Sequence, residues 1–575
     1  MTRLFNDPSN FSGDVLGGLC AAYPQYLQRV FGGAVRASAS PQGQVSVVIG
    51  GGSGHFPAFS GWVGPGLAHG TVNGNVFASP SASQVYSVVK AADNGGGVLL
   101  SFGNYAGDVL HFGQAAERLR GEGIDVRIVG VSDDVASNTE DKPRERRGIC
   151  GDLVVFKIAG AAAERGKSLD EVEELAWRAN DRTRSLGIAF DGCTMPGANE
   201  PLFHVPAGEM SIGLGVHGEP GVREVPLGSA REVADLLVDG VVAEAPERDT
   251  NGYRGRAIVL LNGLGSVKYE ELFIVYARVS ERLADAGITP VLPEVGELMT
   301  SLDMAGLSLT LTFLDDELEE LWTDPVDTIS LRRGSITARE QRQVVGGEPA
   351  RTEFTAGSPE SQALSNKLAA ALGVLHETMV AKESELARLD AIAGDGDHGQ
   401  GMVYGTRGAV DAAEEALAAQ AGASSLLAHA GAEWAEHAGG TSGALWGAAL
   451  TAFGNVLGDD GAADDDVIVR AVRAGVDAVV RLGGAQLGDK TMVDALVPFA
   501  ERLEKAVAEG TGLHDAWQQA TQAAEQAASA TADIVSRLGR SRVLGEKSLG
   551  TPDPGATSFA ILMRSLLDAG IIQNR

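Results

Sequence analysis

Positive charge is scarce in this chain of 575 residues. Lysine and arginine number 46 against 76 aspartates and glutamates, which gives a formal net charge of -30. Because polyphosphate binding normally needs a basic face, this balance argues against nucleic acid and anionic membrane as partners. Any phosphate group would have to be bound locally, by backbone amides or through metal ions.

Cysteine is nearly absent as well, since the chain has only Cys20, Cys150 and Cys193. Three scattered cysteines are too few for a disulfide framework or a zinc site. The opening residues, MTRLFNDPSNF, contain no apolar core typical of a signal peptide, and no stretch approaches the length of a membrane span. We therefore expect a cytoplasmic globular protein with about two to four domains.

The first half of the chain alternates between two kinds of segment. Three β-branched apolar runs end in glycine or polar loop residues: VSVVIGGGSGH, VLLSFGNYAGD and VRIVGVSDD. The polar, alanine-rich stretches between them are helical in character, and this alternation predicts a parallel, doubly wound α/β sheet. RAIVLLNGLG and LSLTLTFLDD predict strands of a second block. We expect two α/β subdomains, about 1–190 and 191–333.

The character of the sequence changes after residues 334–360, where mixed charge, glycine and proline without a clear period predict a linker. Alanine-rich stretches dominate the rest of the chain. Ile468, Val472, Val476 and Val479 recur there at helical spacing. Residues 361–575 are therefore predicted to form an all-α domain.

The segment LDAIAGDGDHGQG contains an acidic cluster. Asp390, Asp395 and Asp397 lie where a predicted helix gives way to a glycine turn. Carboxylates gathered in one loop suit a hard cation such as Mg²⁺, especially when phosphate oxygens complete its coordination. A solvated acidic turn is the alternative. An EF-hand calcium loop is disfavoured because its twelfth position, a glutamate in that pattern, is Gly401 here.

Other segments of the same domain could bind a nucleotide. GGTSGALWG places Thr441 and Ser442 as at a helix N-terminus that presents amides to a phosphate, although tight helix packing explains the small residues equally well. Met492 of GDKTMVDAL could contact a base or lie in the core. Arg540 and the loop 553–555 follow. Since no G-x-x-x-x-G-K-[ST] motif occurs, such a site would not be a P-loop.

Glycine-rich segments also contain the candidate reactive groups of the first half. GGGSGH ends in His55, and GNYAGD ends in Asp108. A carboxylate at the end of a strand could accept a proton from a substrate hydroxyl, or it could cap a helix; His55 could be a structural histidine. GLGVHGEPG, at 213–221, matches G-x-G-x-x-G around His217. The residues that follow break a helix, so a Rossmann dinucleotide loop is excluded.

Ten motifs in order resemble those of ATP-dependent dihydroxyacetone kinases with fused K and L domains. They are GGGSGH, ASPS, GNYAGD, GVHGEPG, NGLG, TSLDMAG, GDGDHG, GGTSG, GDKTM and DPGATS. The resemblance spans nearly the whole sequence. It implies a K-type part of two α/β subdomains, 1–333, and an L-type eight-helix barrel, 361–575.

The resemblance also implies roles for individual residues. His217 would bond covalently to the ketone carbon of a substrate as a hemiaminal, and Asp108, assisted by His55, would deprotonate its terminal hydroxyl. Gly52, Ser53 and Gly54 would line the substrate pocket with them. ATP would bind with two Mg²⁺ ions held by Asp390, Asp395 and Asp397. The residues implied around the nucleotide are His398, Gly399, Gln400, Thr441, Ser442, Gly483, Met492, Arg540, Asp553, Pro554 and Gly555. A homodimer would fit the family.

Two departures from the family pattern fall near the substrate loop. Phe56 stands where the family usually has glutamate, and Asn75, after Gly74, stands where it usually has aspartate. We therefore expect a kinase whose acceptor is a four-carbon ketose such as erythrulose. The alternatives are dihydroxyacetone itself, an additional activity that cyclises FAD with release of AMP, and a sugar-sensing binding protein without catalysis.

Overall fold

The computed structural model describes residues 2–217, 219, 221–249, 252–335, 340, 343, 354–393, 396–538 and 548–573. The chain divides into two compact units, Met1–Ala350 and Arg351–Arg575. None of the helices in these ranges is long and apolar enough to cross a membrane.

The N-terminal unit combines helices and strands in alternation. Its helices are α1 (Phe11–Ala22), α2 (Ala82–Ala92), α3 (Ala106–Gly121), α4 (Asp152–Glu164), α5 (Leu169–Asp181), α6 (Ala230–Val242), α7 (Tyr269–Asp285) and α8 (Asp316–Thr323). Its strands are β1 (Leu27–Val30), β2 (Gly33–Arg36), β3 (Ser46–Gly51), β4 (Gly70–Asn73), β5 (Val98–Gly103), β6 (Val126–Val131), β7 (Thr183–Asp191), β8 (Glu209–Ile212), β9 (Arg223–Pro226), β10 (Arg256–Gly263), β11 (Thr289–Pro290), β12 (Glu294–Gly296), β13 (Ala305–Phe313), β14 (Val326–Asp327) and β15 (Arg332–Arg333).

The first sheet has the order β1-β2-β4-β3-β5-β6. Its strands β4, β3, β5 and β6 are parallel, as predicted for β3, β5 and β6, but β2 pairs antiparallel with both β1 and β4. The predicted parallel arrangement therefore holds for β3, β5 and β6 and does not extend to the antiparallel edge at β1 and β2, which the sequence did not predict. The cause is a tight turn at Gly32, whose φ of 76° suits glycine and lets β1 and β2 form a hairpin.

The central strands of this sheet are buried on both faces. Val47 and Leu99 pack in the core that includes α4 and α5, whereas Val48 and Leu100 pack in the core that includes α2 and α3. Alternate residues thus enter opposite cores, which explains why these strands read as continuous apolar runs.

The second sheet has the order β11-β10-β13-β7-β8-β9, with β12 pairing β10. Helices α6 and α7 pack against it through a core that includes Leu237 and Leu272. Strand β7 spans Thr183–Asp191 and pairs with β13 of this sheet. The second sheet therefore begins with β7, whereas the expected subdomain boundary near residue 190 falls at the end of that strand. β8 leads directly into the segment that contains His217.

The described part of the C-terminal unit contains eight helices and none of the named strands, as expected for an L-type fold. They are α9 (Pro359–Ala393), α10 (His398–Ala418), α11 (Ala423–Ala438), α12 (Gly440–Leu457), α13 (Asp465–Gly483), α14 (Val493–Ala508), α15 (Leu513–Ala530) and α16 (Pro554–Asp568). α9 packs against both α10 and α16, so the last helix returns to the first. On α13, Val472, Val476 and Val479 are buried and Ile468 is half-buried.

Candidate active site

Two of the expected site loops lie at the same edge of the first sheet. β3 is followed by residues 52–55 and β5 by residues 104–108. Because β3 and β5 are parallel, both loops extend from the carboxyl ends of their strands, where ligands bind in such sheets. His55 and Asp108 therefore follow neighbouring strands at one edge.

The loop after β3 packs closely against Phe77. A Cβ on Gly52 would lie 2.9 Å from the Phe77 Cα, and a Cβ on Gly54 would lie 2.6 Å from its ring. A side chain at either position would displace the loop, which accounts for the glycines. Ser53 Oγ forms a hydrogen bond of 2.6 Å with Ser12 Oγ of α1, so the first helix also holds this loop.

His217 follows β8 and is buried, with 7% of its surface exposed. Three rings meet its imidazole edge-on: the ring centroids of Tyr105, His55 and Phe77 lie 4.3, 4.7 and 5.6 Å from its own. The structure thus brings His55 and His217 together from the two sheets. The surrounding aromatic rings limit the access of water to the imidazole.

Residues 299–302, before β13, join the two histidine loops. His55 Nδ1 lies 2.8 Å from the carbonyl oxygen of Thr300, and Ser301 Oγ donates a hydrogen bond of 2.6 Å to the carbonyl of Val216. Since a carbonyl oxygen only accepts, the hydrogen of His55 is on Nδ1, and Nε2 has the lone pair in the neutral ring. This segment therefore fixes both the place and the tautomer of His55.

Glu219 makes two contacts with His217. Its Oε2 accepts the backbone N–H of His217 at 2.8 Å, and its Oε1 lies 3.5 Å from His217 Nδ1. A carboxylate at Nδ1 favours the tautomer with hydrogen on Nδ1, which places the lone pair on Nε2. In the neutral ring, Nε2 is therefore the nitrogen whose lone pair is available.

Asp108 lies in the first turn of α3 and is buried, with 7% exposure. The N-cap residue of α3 is Tyr105, so the alternative interpretation of Asp108 as a helix cap does not hold. Asp152, fully buried, is a close electrostatic neighbour. Burial raises the pKa of Asp152 well above its ordinary value, and the charges of Asp133 and Asp108 add to the rise. The raised pKa favours the neutral form of Asp152 and so limits the negative charge beside Asp108.

The two residues that depart from the family pattern lie beside the loop 52–55. Phe56 follows His55 directly and keeps 42% of its surface exposed, while its carbonyl accepts a hydrogen bond of 2.8 Å from Thr300 Oγ1. The carbonyl of Asn75 accepts the backbone N–H of Ser53 at 3.1 Å. Both positions can therefore influence what the loop accepts.

In the C-terminal unit, the acidic segment folds around Asp390 near the end of α9. Asp390 Oδ2 accepts the backbone N–H groups of Gly396 and His398 at 2.9 and 3.1 Å. Asp397 is the residue before α10. Carboxylate oxygens of this kind suit a hard cation such as Mg²⁺. No group of three or more potential metal ligands occurs among the residues that the structure describes, and Asp395, the third expected ligand, lies outside them.

The start of α10 connects this segment to α16. His398 Nε2 lies 2.8 Å from Ser558 Oγ, and burial lowers the pKa of His398, so the ring is neutral near pH 7. A Cβ on Gly399 would lie 2.3 Å from the carbonyl oxygen of Glu383 on α9, so only glycine permits this close helix packing. Gln400 follows in the same turn.

The loop before α16 meets the loop before α14. Asp553 caps α16 by accepting the N–H of Ala556 at 2.7 Å, and Pro554 is the first residue of the helix. Burial raises the pKa of Asp553 to about 7. A Cβ on Gly555 would lie 3.2 Å from the Cβ of Met492, which is itself buried. The structure therefore brings together two of the segments expected around the nucleotide.

The residues before α14 form a compact turn. Asp494 accepts the N–H groups of Gly488 and Thr491 at 2.6 and 2.7 Å. Lys490, at a φ of 62°, is buried, and its Nζ donates to the carbonyl of Ser548. These bonds fix the turn that precedes Met492.

Thr441 and Ser442 lie in the first turn of α12, as expected. The N-cap residue is Gly439, which has no side chain to accept the first amides of the helix, and such a terminus can receive an anion. A Cβ on Gly483, the last residue of α13, would lie 3.4 Å from Leu445 of the same α12. The expected nucleotide residues that the structure describes thus occur at the ends of α10, α12, α13 and α16 and, for Met492, just before α14.

Arg540, Gly218 and Pro220 lie outside the described residues. The sequence-based prediction missed four side chains around His217: Tyr105, Phe77, Glu219 and Arg147. Tyr105 and Glu219 stand inside motifs singled out for their glycines, so their own chemistry was available as a signal. Phe77 and Arg147 carried no local signal.

Comparison with protein families identifies two domains in this chain. The Dak1 domain matches residues 17–330, and the DAK2 domain matches residues 392–568.

Individual proteins resemble the chain over its whole length. An L-erythrulose 1-kinase of Mycolicibacterium smegmatis is 59% identical over 98% of this chain and 99% of its own. A D-erythrulose kinase of the same organism is 51% identical over 99% of this chain and 98% of its own. The crystal structure of the dihydroxyacetone kinase from C. freundii in complex with AMP-PNP and Mg²⁺ is 32% identical, covers 99% of both chains and has a TM-score of 0.52.

Proposed function

Since this chain belongs to the dihydroxyacetone kinase family and is an ATP-dependent ketose kinase, we propose that it phosphorylates a terminal hydroxyl of erythrulose held covalently on His217. The observation that supports this most directly is the enclosure of His217 by three rings, with Glu219 at its Nδ1.

The covalent step uses the lone pair of His217 Nε2. This nitrogen adds to the ketone carbon: a C–N bond forms, the carbonyl π bond breaks, and its electron pair moves to oxygen, which takes a proton from solvent to become a hydroxyl and leaves the positive charge on the imidazolium. The hydrogen on Nδ1 becomes more acidic as the bond forms, and Glu219 Oε1, at 3.5 Å, stabilises it there. A polyol has no electrophilic carbon and cannot be held in this way, so the trap selects ketoses.

The phosphoryl transfer requires a base at the terminal hydroxyl. Asp108 accepts the hydroxyl proton, the oxygen attacks the γ-phosphorus of ATP, the bond to the β-phosphate oxygen breaks, and ADP leaves. His55, whose Nε2 has the lone pair in its neutral form, assists this proton transfer or receives a hydrogen bond from the substrate. The raised pKa of Asp152 favours its neutral form, which limits the negative charge around Asp108.

The nucleotide is assigned to the helical unit, at the ends of α10, α12, α13 and α16. We assign two Mg²⁺ ions to Asp390, Asp395 and Asp397, and these ions, when bound with ATP, neutralise the charge of its phosphates. The N-terminal amides of α12, next to Thr441 and Ser442, suit a phosphate oxygen. Met492 offers an apolar contact for the base.

The preference for four carbons rests on Phe56 and Asn75 and on the kinship with erythrulose kinases. Both residues replace acidic side chains of the family pattern beside the loop 52–55. The relatives named for the L and D enantiomers are similarly close to this chain, and the L enantiomer is our first candidate because that relative is the more similar.

We further assign the ketose site to 1–333, the linker to 334–360 and the nucleotide site to 361–575, and we expect a homodimer. The family matches at 17–330 and 392–568 are compatible with these limits.

A substrate panel tests the proposal. The purified chain with ATP and Mg²⁺ is given dihydroxyacetone, both erythrulose enantiomers, ketopentoses and glycerol, and ADP release and the phosphorylated carbon are measured, the latter by NMR. We expect kcat/KM for one erythrulose enantiomer to exceed that for dihydroxyacetone by about tenfold or more. A higher kcat/KM for dihydroxyacetone than for both enantiomers would overturn the assignment of the substrate.

The covalent step is tested without ATP. Ketose labelled with ¹³C at the carbonyl carbon should lose its ketone resonance and gain that of a tetrahedral carbon on binding to the wild type. A His217→Ala variant should bind weakly and leave the ketone resonance unchanged. Full turnover by that variant would contradict the role given to His217.

A further inference from the structure

A buried ion pair lies behind the loop that contains His217. Arg147 donates from Nε and Nη2 to the same oxygen of Asp134, at 3.0 and 2.7 Å. Its third nitrogen, Nη1, lies 3.9 Å from Glu219 Oε1, the oxygen next to His217 Nδ1. The four side chains therefore form a continuous series from Asp134 to His217.

The backbone of the loop is built to allow this series. A Cβ on Gly215 would lie 2.4 Å from Glu219 Oε2 and 2.9 Å from Arg147 Nη1, so only glycine leaves space for the two side chains to meet. Arg147 Nη2 also donates to the carbonyl of Gly213 at 3.1 Å. The same guanidinium thus holds the start of the loop and faces the carboxylate at its middle.

We propose that Arg147 and Asp134 are positioning residues for His217. Asp134 binds the guanidinium of Arg147 and so keeps it away from Glu219, and Glu219 can then face the imidazole of His217. The inference rests on the proposed covalent role of His217.

The carboxylates of Asp134 and Glu219 compete for one cation, the guanidinium of Arg147. Arg147 is bonded directly to Asp134 and stands farther from Glu219, so Glu219 keeps its negative charge for His217 Nδ1. If the charge of Asp134 were removed, Glu219 would be the carboxylate among the described residues that still forms an ion pair with Arg147. Arg147 would draw Glu219 into a closer ion pair, and the imidazole would lose the group that favours hydrogen on Nδ1.

Other ionisable groups face this series, and they define its pH dependence. The charge of Asp133 acts on Asp134, and Tyr105 interacts electrostatically with Glu219, Arg147, Asp134 and Asp152. Burial raises the pKa of Asp134 to about 6 in spite of Arg147. Asp134 is therefore ionised above this pH and begins to lose its hold on Arg147 below it. The effect of neutralising Asp134 by mutation should accordingly be large at pH 8 and small below pH 6.

The test compares Asp134→Asn with a matched control. Glu244→Gln alters a similar pair, since Glu244 bonds in bidentate fashion to the adjacent Arg146 at 2.7 Å, and that pair makes no hydrogen bond or ion pair with the described residues of the His217 loop. Each full-length variant is measured for its melting temperature, for kcat/KM at pH 8 and pH 5.5, and for the fraction of carbonyl-labelled erythrulose bound as a tetrahedral adduct. Arg147→Lys, which keeps a cation without the two-pronged bond, is the second variant in case Asp134→Asn folds poorly.

We expect Asp134→Asn and Arg147→Lys to lower kcat/KM at pH 8 by about 10- to 100-fold with a reduced adduct fraction, while Glu244→Gln stays within about twofold of the wild type at a comparable loss of melting temperature. Wild-type kcat/KM in the first two variants would overturn the inference, and so would an equal loss in Glu244→Gln. If the wild type itself formed no adduct, the proposed function would fail and this inference with it.

Discussion

Glu219 contacts His217 at two points, the backbone amide and the ring. Oε2 accepts the amide hydrogen at 2.8 Å, and Oε1 lies 3.5 Å from Nδ1, with both residues buried. One carboxylate thus fixes the backbone that presents the imidazole and also the distribution of hydrogen within it. Few single groups could serve both purposes, because the two contacts need two acceptor oxygens.

Replacing Glu219 with Gln should separate these two purposes. The amide oxygen can still accept the backbone N–H, but the negative charge next to Nδ1 is lost. We expect kcat/KM for the ketose to fall by about 100-fold, with a smaller adduct fraction by ¹³C NMR. The control is Glu232→Gln in the same unit, where the carboxylate accepts the backbone N–H of Ser229 at 2.7 Å and caps α6. Equal effects of the two substitutions would contradict a special role for Glu219.

A Gly215→Ala variant should have a related effect for a steric reason. The new Cβ would lie 2.4 Å from Glu219 Oε2, so the carboxylate must move away from His217. We expect turnover of the ketose to fall by about tenfold or more. The control is Gly113→Ala on α3, where a Cβ meets nothing within 4 Å and the helix should gain about 0.5–1 kcal/mol. Activity at the wild-type level in Gly215→Ala would show that the loop tolerates the displacement.

Much of the fold was predictable because the buried parallel strands are continuous apolar runs. The strands β3, β5 and β6 followed from these runs, and the helical second half followed from apolar residues at helical spacing. The antiparallel edge did not, because β1 and β2 are short segments, LQRV and GAVR, whose pairing depends on a turn at Gly32 and on the contact with β4. Local patterns contain no information on which neighbour a short strand will choose.

The site was predictable only in part, for a similar reason. His55, Asp108 and His217 stand in glycine-rich segments after strands, and that pattern is local. Phe77 reaches His217, and Arg147 reaches its neighbour Glu219, only because loops from two sheets meet there, which no spacing in the sequence reveals. Glu219 stands in GVHGEPG, but the pattern of that segment indicates a break in a helix and does not identify the glutamate as the partner of the histidine.

In the helical unit, Asp390→Asn tests the acidic segment. Its Oδ2 holds the backbone of Gly396 and His398, and its charge is expected to help bind Mg²⁺. The amide keeps an acceptor oxygen but not the charge, so we expect the Mg²⁺ concentration needed for half-maximal activity to rise by about 10- to 100-fold. Asp464→Asn is the control, since Asp464 caps α13 through the N–H of Val467 and asparagine caps equally well. An unchanged Mg²⁺ dependence would count against Asp390 as a ligand.

The burial of Lys157 leads to a prediction about stability rather than catalysis. It is fully buried on α4, donates from Nζ to the carbonyl of Leu321 at 2.8 Å, and burial lowers its pKa from 10.5 to about 7. Between these two values the unfolded chain binds more protons at this group than the folded one, so the free-energy cost of burying this lysine falls as the pH rises from 7 towards 10. Lys157→Met fills a similar volume and has no proton to lose. The free energy of unfolding of the wild type should therefore rise with pH relative to that of the variant, by at most about 1.4 kcal/mol per pH unit.

Urea unfolding followed by pulse proteolysis, with peptides of the N-terminal unit as the reporters, measures this difference in free energy from pH 6.5 to 9. A difference that stays constant or shrinks over that range would contradict the depressed pKa of Lys157.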